Sequence, residues 1–178
     1  MKQYKIKSYC KINLTLKIIQ KLKNGFHIIS SLITFCDIYD EIKISKIHES
    51  KDRISFSGKF YKGINNKINT ITKVLNLLRK KKLIKNKSLK IDIKKNIPHG
   101  SGLGGGSSNA SALLNYFNRK MKLNLKKGKM IKLAKSIGSD VPICIAKKNT
   151  YLIGKKDKLF TINKKFNLNI LIIYPNII

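Results

Sequence analysis

The chain has 178 residues, of which 42% are hydrophobic, which suits one folded domain and argues against a disordered chain. Its 39 Lys and Arg against 8 Asp and Glu give a formal net charge of +31, which favours polyanionic partners such as nucleic acid, anionic membranes or phosphorylated small molecules. No apolar run approaches the roughly 20 residues that span a bilayer, and the N-terminal MKQYKIKSYCKINL lacks a signal-peptide core, so we expect a soluble cytoplasmic protein.

The first third of the chain is predicted to be mostly β. In KINLTLKI, apolar residues recur at every second position, which predicts a strand with one buried face formed by Ile12, Leu14, Leu16 and Ile18. Asn24-Gly25 then indicates a turn. The segments HIISSLITF, EIKISKI and RISFSGKF predict further strands.

The middle of the chain changes to a helical period. Asn69 is suited to be an N-cap, and it precedes an apolar helical face formed by Ile71, Val74, Leu75 and Leu78. SLKIDIKKNIP returns to alternation and predicts a strand that ends at Pro98.

The last part of the chain holds two further helices. One contains Ala110, Leu113, Leu114, Phe117 and Met121 on one side, and the next contains Met130, Leu133, Ala134 and Ile137 and ends at Gly138. SDVPICIA, TYLIG, KLFTI and LNILIIYP predict short strands or loops. The elements together predict an α+β fold in which a sheet layer packs against helices.

The segment PHGSGLGGGSSN at 98–109 joins a predicted strand to a predicted helix. Such a glycine-rich junction gathers free backbone N–H groups and the positive end of a helix dipole, which suits phosphate. No lysine follows the glycines, which excludes a Walker A loop. Gly100, Gly102 and Gly105 fit G-x-G-x-x-G, but no acidic residue lies between Asp92 and Asp140 to bind a ribose, and no H-R-D or D-F-G motif follows.

Cysteines and lysines are scattered along the chain. Cys10, Cys36 and Cys144 form no C-x-x-C pair, so the sequence predicts neither a disulfide framework nor a thiolate metal site and fits a reducing compartment.

The lysines are interspersed with isoleucine and asparagine, a mixture that a genome rich in A and T would also produce. KKKLIKNK at 80–87 is a candidate local basic patch.

Four motifs resemble those of the GHMP kinases. PHGSGLGGGSSNASALL is similar to the family's second motif, and CKINL at 10–14, GFH at 25–27 and GSDVP at 138–142 resemble others in the family's order. The resemblance implies the fold of the GHMP kinase N-terminal domain (ribosomal protein S5 domain 2-like). It also implies ATP and Mg²⁺ as cofactors, with Ser108 as a metal contact and ATP bound by Asn69, Lys95, Pro98, Gly100, Gly102, Leu103, Gly104, Gly105, Gly106, Ser107 and Ser108.

Within the family, the motifs are most similar to the branch that phosphorylates the 2-hydroxyl of 4-diphosphocytidyl-2-C-methyl-D-erythritol in non-mevalonate isoprenoid synthesis. The resemblance implies Asp140 as the catalytic carboxylate and Lys11 as the cation beside the acceptor oxygen. Asn13 would contact the substrate from the same side of the strand as Lys11. Phe26 and His27 would hold the cytosine ring, with phenylalanine standing where the family usually has tyrosine.

The resemblance also sets expectations for domains and partners. Residues 1–164 would form the N-terminal domain, and residues 165–178 would begin a ferredoxin-like second domain whose remainder, with the third glycine-rich motif, is missing. A separately encoded C-terminal half is therefore one expected partner. Two alternatives stay open: another GHMP kinase, for homoserine or mevalonate, and a basic, non-catalytic domain that binds nucleic acid. Neither a membrane nor nucleic acid is the expected partner under the leading interpretation.

Overall fold

The structure is a computed structural model that describes residues 2–23, 25, 27–84, 88–154 and 158–175. Within these ranges the elements, in chain order, are β1 Gln3–Lys21, β2 His27–Lys46, β3 Arg53–Gly58, α1 Thr70–Lys80, β4 Leu89–Lys95, α2 Gly105–Lys120, α3 Lys127–Ile137, α4 Val141–Ala146, β5 Thr150–Gly154 and β6 Lys158–Thr161. The predicted helices after Asn69, after the glycine segment and before Gly138 are confirmed.

The long strand β2 organises the sheet. It pairs with antiparallel β1 along one edge, while its other edge pairs with β4 through residues 41–46 and with β5 through residues 29–33. β3 lies parallel to β4, and β6 lies antiparallel to β5. Within the described residues the sheet therefore has six strands, with β4 and β5 sharing the edge of β2 that lies opposite β1.

The core lies between the sheet and the helices. Apolar residues of β2 and β4 form one core with the apolar faces of α1, α2 and α3, and its fully buried members include Ile42, Ile44, Ile91, Ile93, Leu75, Leu78, Leu113 and Phe117. A smaller cluster of Ile33, Ile143 and Leu152 joins α4 to β2 and β5. The predicted α+β arrangement is confirmed.

The predicted buried face of KINLTLKI is wrong in its second half. Leu16 and Ile18 are 62% and 61% exposed. This part of β1 pairs with residues 29–31 of β2, while the largest core forms at the other end of β2, around Ile42 and Ile44. Alternation along a strand therefore identifies two faces, but the position of the helices decides which face is covered.

The prediction of a strand or loop at SDVPICIA is also wrong, because Val141–Ala146 form the short helix α4. Pro142 lies in the first turn, where its missing N–H costs nothing. The predicted turn residue Asn24 and the predicted substrate residue Phe26 lie outside the described residues, as do residues 85–87 of the candidate basic patch.

The segment 162–175 has no regular secondary structure, so of the two alternatives predicted for LNILIIYP the loop is confirmed. It carries the most exposed large apolar side chains of the described chain, with Leu171 and Ile173 at 85% and 82% exposure. No helix among the described residues is both long enough and apolar enough to cross a bilayer.

Candidate active site

The glycine segment forms a loop of left-handed backbone between β4 and α2. Gly100, Gly102 and Gly104 all have positive φ, of 73°, 75° and 69°. Gly104 also faces the side chain of Lys11, so that an added Cβ would lie 3.0 Å from the Cβ of Lys11. The backbone N–H of Lys11 donates to the carbonyl of Leu103 at 2.9 Å, which ties β1 to the loop.

The loop ends at the N-terminus of α2, where backbone donors are free. Among the described residues, the amides of Gly105, Gly106 and Ser107 meet no acceptor, as expected for the first turn of a helix. The hydroxyl of half-buried Ser107 likewise has no partner in the described part of the chain. These donors together suit a phosphate group.

Ser108, the second serine, faces the other way. It is 3% exposed, and its Oγ donates to the sulfur of Cys144 in α4 at 3.4 Å. Burial raises the pKa of Cys144 to about 11, so this thiol stays protonated at neutral pH. Ser108 thereby joins α2 to α4.

The start of α1 supports the loop from one side. The Thr70 hydroxyl donates to the carbonyl of Gly106 at 2.8 Å. Asn69 is the N-cap of α1, as predicted: its Oδ1 accepts from the amides of Ile71 and Thr72, and its Nδ2 donates to carbonyls of the preceding loop. The Asn69 side chain is therefore fully engaged beside the predicted nucleotide site.

Lys95 lies behind the glycine loop. Its side chain is buried, and the ammonium binds the equally buried carboxylate of Asp40. An added Cβ on Gly105 would lie 3.3 Å from the Lys95 Nζ, so this ion pair lies directly beneath the first residue of α2. Asp40 also accepts from the amides of Asn96 and Ile97 at 2.8 and 2.9 Å, which orders the chain that enters the loop.

Lys11, Asn13 and Asp140 meet on the other side of the loop. Lys11 is 5% exposed, and its Nζ donates to Asn13 Oδ1 at 2.8 Å and lies 3.4 Å from Asp140 Oδ2. Asn13 in turn donates to Ser31 Oγ on β2 at 2.7 Å. Asp140 directly precedes α4 and keeps 22% of its side chain exposed.

These three residues line a cavity of about 490 Å³, here called the Lys11–Asp140 cavity. Gly102 of the glycine loop and His27 at the start of β2 line it too. Its apolar wall includes the exposed side chains of Leu16 and Ile18. Its volume is typical of small-molecule sites, and it places a carboxylate and an ammonium beside the glycine loop.

Sequence reasoning missed three residues that order the site: Asp40, Thr70 and Ser31. Asp40 is one of the chain's 8 acidic residues and lies between Asp37 and Glu41 in β2, so the sequence does not single it out. Hydroxyl residues carry no such signal either. Among the described residues, no group of three His, Cys, Asp or Glu could hold a metal ion.

Comparison with known proteins gives matches over nearly the whole chain. Residues 69–148 match the family model described as GHMP kinases N terminal domain. A Pelagibacter ubique protein named 4-diphosphocytidyl-2-C-methyl-D-erythritol kinase is 42% identical over 176 residues, covering 99% of this chain and 62% of its own length. A protein of the same name from Sulfurihydrogenibium sp. is 38% identical, covering 96% of this chain and 60% of its own.

The solved structures include a similar fold. The crystal structure of 4-(cytidine 5'-diphospho)-2C-methyl-D-erythritol kinase superposes with a TM-score of 0.71 at 22% identity, covering 89% of this chain and 55% of that one. At this identity the likeness bears on the fold alone. The chain spans about three fifths of the length of the curated relatives it matches.

Proposed function

Because the chain carries the GHMP kinase N-terminal domain, we propose that it serves in the ATP-dependent phosphorylation of the 2-hydroxyl of 4-diphosphocytidyl-2-C-methyl-D-erythritol, a step of isoprenoid precursor synthesis. The observation that carries the proposal is the Lys11–Asp140 ion pair, which borders a cavity directly beside the free amides of α2. The three free cysteines support a reducing compartment, in keeping with the cytoplasm.

We propose that Asp140 is the base that accepts the proton of the acceptor hydroxyl. Its carboxylate keeps an exposed edge in the Lys11–Asp140 cavity, so an alcohol can reach it. Lys11 stabilises negative charge that develops on the acceptor oxygen. Asn13 and Ser31 hold the Lys11 ammonium toward Asp140, because Asn13 accepts from Lys11 and donates to Ser31.

We assign the phosphates of ATP to the glycine loop. The free amides of Gly105, Gly106 and Ser107 match an anionic ligand, and the positive φ of Gly104 brings backbone close to Lys11 without a side chain between them. Bound Mg-ATP would supply the γ-phosphoryl group and offset its charge. Ser107 has the free hydroxyl, so it suits a phosphate or Mg²⁺ contact better than Ser108, whose hydroxyl is held by Cys144.

The substrate assignment rests on the relatives' printed names and on the wall of the cavity. His27 is exposed at the edge of the cavity, where it can contact the cytosine ring of the substrate. Phe26 is assigned to the same ring by the motif alone. Asn13 faces the same space, in keeping with a substrate contact.

Replacing Asp140 tests this proposal. With Mg-ATP and the cytidylylated methylerythritol, Asp140→Asn is expected to lower the rate of ADP release at least about 100-fold, since a general base typically contributes that much. Asp37→Asn is the matched control, because Asp37 is an exposed carboxylate outside the cavity. Equal rates in wild type and Asp140→Asn would contradict the assigned base.

The alternative function, binding of nucleic acid, rests on the net charge of +31. The wild-type chain and Asp140→Asn also distinguish it from the kinase. Strongly salt-dependent RNA binding, unaltered by Asp140→Asn and without ATP turnover, would favour it. Binding of ATP that is lost with changes in the glycine loop would favour the kinase.

We further propose that residues 1–164 form one domain and that residues 165–178 begin a second one. Neighbouring residues of this segment, such as Phe166 and Tyr174, line cavities together with residues of the first domain. Leu171 and Ile173 remain exposed, and this uncovered apolar surface supports the division. The relatives' extra two fifths would supply the cover, on the same chain or on another. Intact mass of the native protein distinguishes these, since a covalently complete protein would be much heavier than 20.3 kDa.

A further inference from the structure

Two cysteines that are far apart in sequence face each other across two strands. Cys10 on β1 is directly paired with Cys36 on β2 in the antiparallel ladder. Paired residues of an antiparallel ladder have Cα atoms about 4.5–5.5 Å apart and project to the same face. That separation falls within the range of about 4.4–6.8 Å found for disulfides, so the backbone spacing of the pair is compatible with a disulfide.

The surroundings bring the two thiols together. Cys10 is fully buried. A bulge interrupts the ladder just before it, because Tyr9 pairs with Tyr39 but the next residue, Cys10, pairs with Cys36. Burial and the adjacent Cys36 thiol raise the pKa of Cys10 to about 12. Asp37 and Ile38 are the extra residues of β2 at this point, where a ladder is locally more twisted.

Only Cys36 is open to reagents. It is half-buried and lines a cavity of about 490 Å³ between β2 and the segment 166–170. A small oxidant entering this cavity reaches Cys36 before it reaches Cys10. The third cysteine, Cys144, is buried in α4 against Ser108 and has no cysteine beside it in the described chain.

We propose that Cys10 and Cys36 are a dithiol modification site that closes reversibly to a cross-strand disulfide. The oxidant is a low-molecular-weight disulfide such as oxidised glutathione. The Cys36 thiolate attacks it, forms a mixed disulfide and releases one thiolate. Cys10 then loses its proton to solvent and attacks the Cys36 sulfur, which releases the second thiolate, so that two protein thiols are oxidised and one small disulfide is reduced.

The bond would form directly behind the Lys11–Asp140 cavity. Cys10 precedes Lys11, whose amide holds the glycine loop through Leu103. Successive residues of a strand point to opposite faces, so the disulfide would lie on the face away from the Lys11 ammonium. The high pKa of Cys10 makes closure slow at neutral pH and faster as the pH rises.

The experiment equilibrates the whole folded chain in glutathione redox buffers, quenches it in acid, alkylates the free thiols and measures intact mass and tryptic peptides. The three cysteines fall in separate tryptic peptides, 8–11, 24–43 and 136–147. In oxidised glutathione we expect the chain to lose two hydrogen atoms, with peptides 8–11 and 24–43 joined and Cys144 alkylated. Reduced glutathione should restore all three thiols.

Three variants make the result decisive. Cys36→Ser changes the half-buried thiol and should abolish the linked peptide, whereas Cys144→Ser should leave it unchanged. Cys10→Ala should leave Cys36 as a stable mixed disulfide with glutathione. A wild-type chain that stops at this mixed disulfide, or in which both thiols remain free in oxidised glutathione, would overturn the proposal.

Discussion

Lys11 is a cation with almost no access to water, and its neighbours explain how it is tolerated. Its ammonium meets the oxygens of Asn13 and Asp140, while its aliphatic part packs on Gly104. A buried charge is costly unless it is paired, so the lack of a side chain at Gly104 and the presence of Asp140 both serve the same cation. The glycine loop thus shapes the position of Lys11 as well as the proposed phosphate site.

A series of glycine substitutions separates backbone strain from crowding of Lys11. Gly104→Ala is expected to lower the unfolding free energy by about 1–2 kcal/mol because alanine is strained at a positive φ. The loss should be larger still, because the added Cβ would lie 3.0 Å from the Cβ of Lys11. Gly100→Ala has the same strain without a neighbour within 4 Å. Urea unfolding gives the stabilities, and titration with ATP gives the affinities.

Gly128→Ala is the control of this series, because Gly128 lies in α3 with negative φ and open space around it. It should stabilise the chain by up to about 1 kcal/mol through helix propensity. If Gly104→Ala and Gly100→Ala are equally stable and bind ATP equally well, the contact between Gly104 and Lys11 has no consequence.

The buried pair of Asp40 and Lys95 predicts a larger effect. Asp40→Asn leaves the Lys95 ammonium buried without a counter-charge, which should lower the free energy of unfolding by about 3–5 kcal/mol. Removing both charges, in Asp40→Asn with Lys95→Met, should recover part of that loss in urea unfolding. A double variant no more stable than Asp40→Asn alone would show that the uncompensated charge of Lys95 is not what lowers the stability of Asp40→Asn.

At the scale of elements, the junction between α1 and α2 connects local helix signals to the candidate site. Asn69 caps α1 and the next residue, Thr70, binds the carbonyl of Gly106 in α2. Formation of the first turn of α1 therefore positions the first turn of α2. A residue that stabilises α1 therefore also orders the N-terminal end of α2, which is the proposed phosphate site.

Substitutions of Asn69 distinguish capping from nucleotide binding. Asn69→Ala should lower the unfolding free energy by about 1 kcal/mol, while Asn69→Ser should retain much of it, since Ser is also a strong N-cap and brings no charge toward the carbonyls that Asn69 Nδ2 contacts. Thermal or urea unfolding measures this difference. An ATP affinity that falls in Asn69→Ser while stability changes little would add the nucleotide contact that the motif predicts, and an unchanged affinity would argue against it.

At the scale of the whole molecule, the charge of +31 acts on stability as well as on partners. Few of the lysines have a carboxylate near them, because the chain has only 8 acidic residues. Like charges repel one another in the compact state, and this repulsion extends over about 30 Å at 0.01 M salt and about 10 Å at 0.1 M.

We therefore expect the thermal midpoint to rise when NaCl is raised from about 0.01 M to about 0.3 M, over which the Debye length shortens severalfold. Differential scanning calorimetry measures the shift, and KCl is the control because screening by monovalent salts does not depend on the cation. A midpoint that stays constant or falls in both salts would show that repulsion among the lysines is not limiting.

The sequence by itself determined the elements and motifs that local spacing encodes. The helical periods after Asn69 and after the glycine segment, and the alternation before Pro98, reflect backbone geometry, so they could be read without knowledge of the fold. The glycine loop was recognisable for the same reason, since only glycine readily adopts its positive φ.

The tertiary structure alone decided which side chains meet and which face is covered. Ser107 and Ser108 are adjacent, yet one hydroxyl is free and the other is held by α4, because a helix turns each residue by about 100°. Leu16 is exposed because the large core forms at the other end of β2, and Cys10 meets Cys36 because a bulge sets the register. Packing and register depend on residues far apart in the chain, so no local pattern contains them.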